Sequence, residues 1–270
     1  MIPTTAVLSG LAGAAKLPLA AFALGIARGI GLLQILPLST RLGLTGMHRA
    51  GVAGALALLL MPLLITQLAA SPPGGAFLAL LAAKEGLIGF LLGVIFAVPF
   101  WIAETAGALI DQQRGSRSAV TPDPSGAESS GITATLLVLT LTTIFLVSGG
   151  MHWLIEALYR SYVVWPAGVL VPHLAPGAAM QVLGLLDSVL GSGLLLAAPL
   201  VVAMVIAELS LGFINRFMPQ LNVFDLSMSM KGLIQVIGLP VYAIFLIGYL
   251  RGHLAPLLYI QDEFRLLSGR

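Results

Sequence analysis

Three acids and one arginine in this 270-residue chain stand where charge is costly. Glu208 follows twenty uncharged residues and precedes the apolar run Leu209–Ile214. Glu104 and Asp111 are seven apart, on one face of a helix if that helix continues past Ala103. Arg28 lies near the middle of another apolar run. Ionisable groups at membrane depth are functional candidates by default. One reading is a proton or ion relay. The other is charge pairing that holds hairpins or subunits together, with Arg216 a candidate neighbour for Glu208. Both readings stand on residue type and spacing alone.

Other chemistry is hard to assemble. His48, His152, His173 and His253 are scattered without metal-ligand spacing. The chain has no cysteine, which removes disulfides, thiolate ligands and a thiol nucleophile. Phosphate-cradling glycine loops, His-Glu-x-x-His helices and Gly-x-Ser-x-Gly elbows are missing from the sequence. Ser148-Gly149-Gly150 near His152 resembles a hydrolase fragment, but the two glycines explain themselves as a close helix crossing. No catalytic residue, metal or cofactor is expected.

The run Asn215-Arg216-Phe217-Met218-Pro219-Gln220-Leu221-Asn222-Val223-Phe224 is a polar, proline-broken turn between two long apolar stretches. Pro219 ends a helix, and Gln220 and Asn222 bring amide donors and acceptors. With lipid or hydrophobic protein on both sides, those groups need partners.

The elements that hold these residues are membrane helices. Hydrophobic residues make up 58% of the chain and charged residues 9%, with mean hydropathy +1.02. A soluble domain carries about a quarter charged residues, so this chain cannot cover a globular surface. A net charge of +2 leaves no nucleic-acid footprint. Lys16 is the first positive charge, so a cleaved signal peptide is not expected. Six segments of roughly 20 residues could cross as helices: Leu17–Leu38, Ala50–Ala70, Gly86–Ala103, Ile132–Ile155, Ser188–Ala207 and Gly232–Leu250. Arg28 costs the first of them about 2.5–3.5 kcal/mol, which the segment's Leu, Ile and Phe residues, at about 0.3–0.6 each, outweigh narrowly.

Pro62, Pro99, Pro199 and Pro240 lie inside these runs and predict kinks. Gly25 with Gly29 and Gly89 with Gly93 are small-residue pairs that allow close helix approach. Six alternating spans place Lys16, Lys84, Arg160, Arg251, Arg265 and Arg270 on one side. Arg41, Arg49, Arg114, Arg117, Arg216 and Lys231 fall on the other, so the positive-inside rule returns a tie. Two polar loops, Glu104–Ser130 and Glu156–Asp187, carry most of the Gly, Ser, Pro and charge.

Three patches together resemble the FliR/SctT family of type III secretion export-apparatus proteins. The first is Ile110-Asp111-Gln112-Gln113-Arg114-Gly115 followed by Asp123-Pro124 and a Ser/Gly stretch to Gly131. The second is Phe145-Leu146-Val147-Ser148-Gly149-Gly150, continuing through Tyr159-Arg160-Ser161-Tyr162 to Trp165-Pro166. The third is Pro219-Gln220-Leu221-Asn222-Val223-Phe224 and then Lys231. These span Glu104 to Lys231, and the hydrophobic profile is similar over the whole chain. Lys231 and the Ser-Tyr before Trp-Pro look closer to the virulence branch (SctT, HrcT, YscT) than to the flagellar one.

The resemblance implies an all-α membrane protein of kinked helical hairpins. Residues 1–187 would be SctR-like, with a plug loop near 112–131, and 188–270 would be an SctS-like hairpin with a C-terminal tail. It implies an export-gate channel subunit in the bacterial inner membrane that assembles with SctR-like and SctS-like subunits and other export-apparatus membrane proteins. The assembly would pass unfolded secreted proteins and project partly toward the periplasm, with energy supplied by partners. Asp111, Gln112, Gln113, Arg114, Gly115, Pro122, Asp123, Pro124 and Gly126 would form the plug and its base. Pro219, Gln220, Leu221, Asn222, Phe224 and Lys231 would serve assembly, and Arg28, Glu104, Glu208 and Arg216 would be buried interface or pore charges. The rival is a proton-coupled small-molecule transporter using Glu208 and Asp111; it would show similarity between two halves, and none is evident.

Overall fold

The computed structural model describes residues 4–41, 43–44, 46–69, 73–115, 131–171, 177–218, 220 and 222–258. Among them are eight helices and no strand. They are α1 (Thr4–Ile35), α2 (Pro37–Arg41), α3 (Gly46–Ala69), α4 (Gly75–Arg114), α5 (Ile132–Val147), α6 (Gly150–Val164), α7 (Ala178–Phe217) and α8 (Val223–Leu258). Five are long and apolar enough to cross a membrane, and α5 with α6 form a sixth, bent candidate. The chain is an all-α, multi-pass membrane protein.

The structure revises several boundaries. The expected spans Gly86–Ala103 and Ser188–Ala207 are the middles of α4 and α7, each 40 residues long. Pro99 and Pro199 sit inside those helices without ending them. Lys84, assigned to a loop from sequence, is a residue of α4. The expected span Ile132–Ile155 is broken at Ser148–Gly149, where the chain bends by 73°. Gly149 adopts φ +82°, a left-handed conformation that costs a side-chain-bearing residue dearly, and Ser148 N–H closes the end of α5 on Ile144 O. Gly149 therefore makes the bend and is not itself a close crossing, since a Cβ there would meet nothing, while Gly150 is buried.

The chain divides into two compact units. The first comprises 1–97, 149–181 and 257–270. Its small-residue pairs do mark crossings: a Cβ on Gly25 or Gly29 would press on Ala57 or Ala53 of α3. One on Gly89 or Gly93 would run into the α1 backbone near Arg28 and Leu32. Thus α1 is gripped on two sides, and Leu24, Leu32, Leu64, Leu68 and Leu81 fill the fully buried interior. The second unit comprises 98–148 and 182–256. There α5 buries Thr133, Leu137, Leu141 and Phe145 at helical spacing, and Phe145 meets Phe100 edge to face, ring centres 5.6 Å apart.

Candidate functional site

Polar side chains gather in two places, one within each unit. In the second unit the centre is Asp111, fully buried in the last turn of α4. The N-cap of α5 is Gly131, which has no side chain to satisfy the first helical N–H groups. Asp111 supplies the cap from outside the helix. Its Oδ2 accepts Thr133 N–H at 2.9 Å and Ala134 N–H at 3.2 Å, and its Oδ1 accepts the Thr133 hydroxyl at 2.7 Å. A carboxylate at a helix N-terminus is also favoured by the helix dipole. Glycine at 131 is required by the fit, because a Cβ there would overlap the Asp111 carboxylate. Gln235 of α8 completes the node, its amide donating to Asp111 Oδ1 at 3.3 Å and to the Thr133 hydroxyl.

A second tie lies beside it. Lys231 of α8 pairs with Glu208 of α7 at 2.7 Å, and Gln113 of α4 donates to the same Glu208 oxygen at 3.2 Å. Two predicted groups, the base at Asp111 and Gln113 and the assembly residue Lys231, thus meet through Glu208 and Gln235. Lys231 takes the place expected for Arg216, which is exposed in the last turn of α7. Glu208, expected at membrane depth or in a protein interface, has a side chain 50% exposed within this chain. Glu104 is half-buried.

In the first unit Arg28 is fully enclosed by its own chain, with no face left for a pore or a neighbour. Its Nε donates to Glu85 at 2.5 Å, one terminal nitrogen to Ser161 Oγ at 2.8 Å and the other to Trp165 O at 2.9 Å. The guanidinium lies over the Tyr162 ring, 3.6 Å from its centre. Lys84 Nζ faces Glu85 at 2.5 Å and donates to the carbonyls of Pro166 at 3.0 Å, Ala167 at 3.3 Å and Val169 at 3.0 Å. Gln67 of α3 takes two more backbone groups, Tyr162 O and Ala167 N–H, each at 3.0 Å. Side chains of α1, α3 and α4 therefore cap the C-terminus of α6 and the irregular turn after it. Away from water, those carbonyls need such partners.

The remaining predicted residues are less engaged. Gln112 is exposed, Arg114 is part-buried, and Gly115 follows α4 with φ +86°. Gln220 and Phe224 are exposed, and Asn222 donates to the Asp225 carboxylate at the start of α8. Pro122, Asp123, Pro124, Gly126, Pro219 and Leu221 lie outside the described residues. Glu85, Thr133 and Gln235 were not singled out from the sequence, Ser161 was read only as part of a motif, and Lys84 only as loop charge. The available signal was polar residues inside apolar runs: Lys84-Glu85 in α4, and Gln235 four residues after Lys231. Among the described residues, no three His, Asp or Glu side chains could hold a metal ion.

The chain is similar to several known proteins. Yop proteins translocation protein T of Yersinia pestis is 33% identical over 251 residues, covering 93% of this chain and 95% of that protein. Surface presentation of antigens protein SpaR of Salmonella typhimurium is 29% identical over 228 residues, 83% of this chain and 82% of SpaR. Flagellar biosynthetic protein FliR of Escherichia coli is 32% identical over 153 residues, 56% of this chain and 58% of FliR. The family profile of the bacterial export proteins, family 1, matches residues 19–256. The chain belongs to that family, the FliR/SctT export proteins of type III secretion, and to its virulence branch.

Proposed function

We propose that the protein is an export-gate channel subunit that assembles with SctR-like and SctS-like partners around a path for unfolded secreted proteins. It supplies structure and no catalysis, and other export-apparatus proteins supply energy. One observation carries this reading. The apolar part of α7, Met180–Phe217, is 38 residues long, about 57 Å at the usual helical rise. Large apolar side chains are exposed along its whole length, from Met180 and Leu183 through Leu195 and Ile206 to Phe213 and Phe217. A hydrocarbon core is about 30 Å thick, and even a 40° tilt leaves much of that surface outside it. Protein neighbours are the natural cover, and part of the assembly then projects toward the periplasm.

On this reading residues 188–270, most of α7 and all of α8, form the SctS-like hairpin, and 1–187 form the SctR-like part. The segment from Ser116 to Ser130 is the plug, with Asp111 and Gln113 fixing its base to the hairpin. Gln220, Asn222 and the neighbouring turn residues serve assembly. Deleting 116–130 is expected to leave complex formation intact while making cells leaky to small solutes. An intact permeability barrier with normal assembly would overturn the plug assignment. Failure of the full chain to co-purify with SctR-like and SctS-like subunits would overturn the gate-subunit reading itself.

A further inference from the structure

We infer that α8 has two registers one helical turn apart against α4, α5 and α7, with Asp111 exchanging Gln235 for Lys231 between them. The buried face of α8 begins with three polar residues at four-residue spacing: Ser227, Lys231 and Gln235. Lys231 meets Glu208 and Gln235 meets Asp111, so the two acids are themselves about one turn apart along α8. A step of about 6 Å, four residues at the helical rise, toward the C-terminus of α8 carries residue 231 into the place of residue 235. The ammonium then comes to the Asp111 carboxylate, and Ser227 comes opposite Glu208, which is half-exposed and keeps access to other partners.

Further along, the same face accepts the step. Leu246, Leu250 and Leu254 are buried at four-residue spacing, so Leu246 and Leu250 enter sites already shaped for leucine. Gln235 moves to the site of Leu239, which is only part-buried. Two misfits make the observed register the resting one. Tyr242 would enter the site of Leu246. Ile234 would replace Gly238, where a Cβ already presses on the mobile end of the Leu200 side chain. One-turn displacement of a packed helix is a known form of switching. Here it would move the exposed side chains Val236, Val241 and Ile244 by one turn, so a partner covering them sets the register.

The sequence has no cysteine, so engineered pairs report cleanly in the full chain within its membrane assembly. The pair L200C/G238C should form a disulfide in the observed register, and L200C/I234C only in the shifted one. In the otherwise unaltered chain the first pair is expected to dominate. Gln235→Leu removes the polar pin and should raise L200C/I234C cross-linking several-fold. Adding Asp111→Asn should return it to its starting level, because Lys231 no longer has a carboxylate to reach. Gln235→Met is the second variant, preserving length without the amide. The inference is overturned if neither variant raises cross-linking at 234, whether the 238 pair stays intact or is lost as well. It is equally overturned if the rise survives Asp111→Asn.

Discussion

Arg28, Lys84 and Glu85 are two cations sharing one acid in a buried site, so removing different members has unequal consequences. Glu85→Ala leaves Arg28 and Lys84 buried without their carboxylate, and breaking a buried pair typically costs about 3–5 kcal/mol. Lys84→Met takes away a charge together with its need for a partner, although three carbonyls lose a donor. Denaturation in detergent should therefore rank Glu85→Ala as the more damaging, and the reverse order would show that carbonyl capping outweighs charge balance. Asp111→Ala removes a helix cap, about 0.5–2 kcal/mol, and a hydrogen-bonded charge, about 1.5–3 kcal/mol. The same denaturation should show a loss of about 2–5 kcal/mol. A loss under about 0.5 kcal/mol, the range of ordinary surface substitutions, would contradict the capping role.

At the scale of elements, the break between α5 and α6 rests on one backbone conformation. Gly149→Ala forces a Cβ into the left-handed region, at about 1–2 kcal/mol, although no atom obstructs it. The variant should be moderately less stable. If stability rises instead, a continuous α5–α6 helix is the preferred state and the 73° bend is not. Hydropathy made the existence of the long helices legible, because twenty apolar residues have few other uses. It could not locate their ends, since α4 and α7 run well past the hydrophobic centres that identified them. Ser148-Gly149-Gly150 was visible as a feature, yet a bend and a close crossing call for the same small residues. Asp111 was legible as a charge in the wrong solvent, and Lys231 as a residue of the family motif. Their partners were not, because Thr133 and Gln235 are ordinary residues until the fold brings them across 22 and 124 positions.

At the scale of the whole molecule, α7 and α8 both leave apolar surface uncovered along much of their length. On α8, exposed apolar side chains run along the helix in a broad band, among them Val236, Val241, Ile244 and Phe245, Ile244 being 85% exposed. A single such band could face lipid. The exposed surface of α7 cannot do so over its full length, and it also carries the half-exposed Glu208, which is expensive against hydrocarbon. Phe213, Phe217, Met218 and Phe224 extend the uncovered surface to the C-terminal end of α7 and the start of α8. Surface of this extent on a lone chain promotes aggregation. Expressed alone in its membrane and extracted in mild detergent, the protein should be recovered in low yield and aggregate. Co-expression with SctR-like and SctS-like subunits should give a monodisperse complex in which Phe213, Phe217 and Ile244, each replaced by cysteine, are protected from a water-soluble thiol reagent. Val163, exposed in α6 of the first unit, serves as a reference position in the same experiment. If the lone chain is monodisperse and the three positions label equally with and without partners, lipid or detergent suffices as cover. The length of α7 would then need bending or tilting well beyond the usual range.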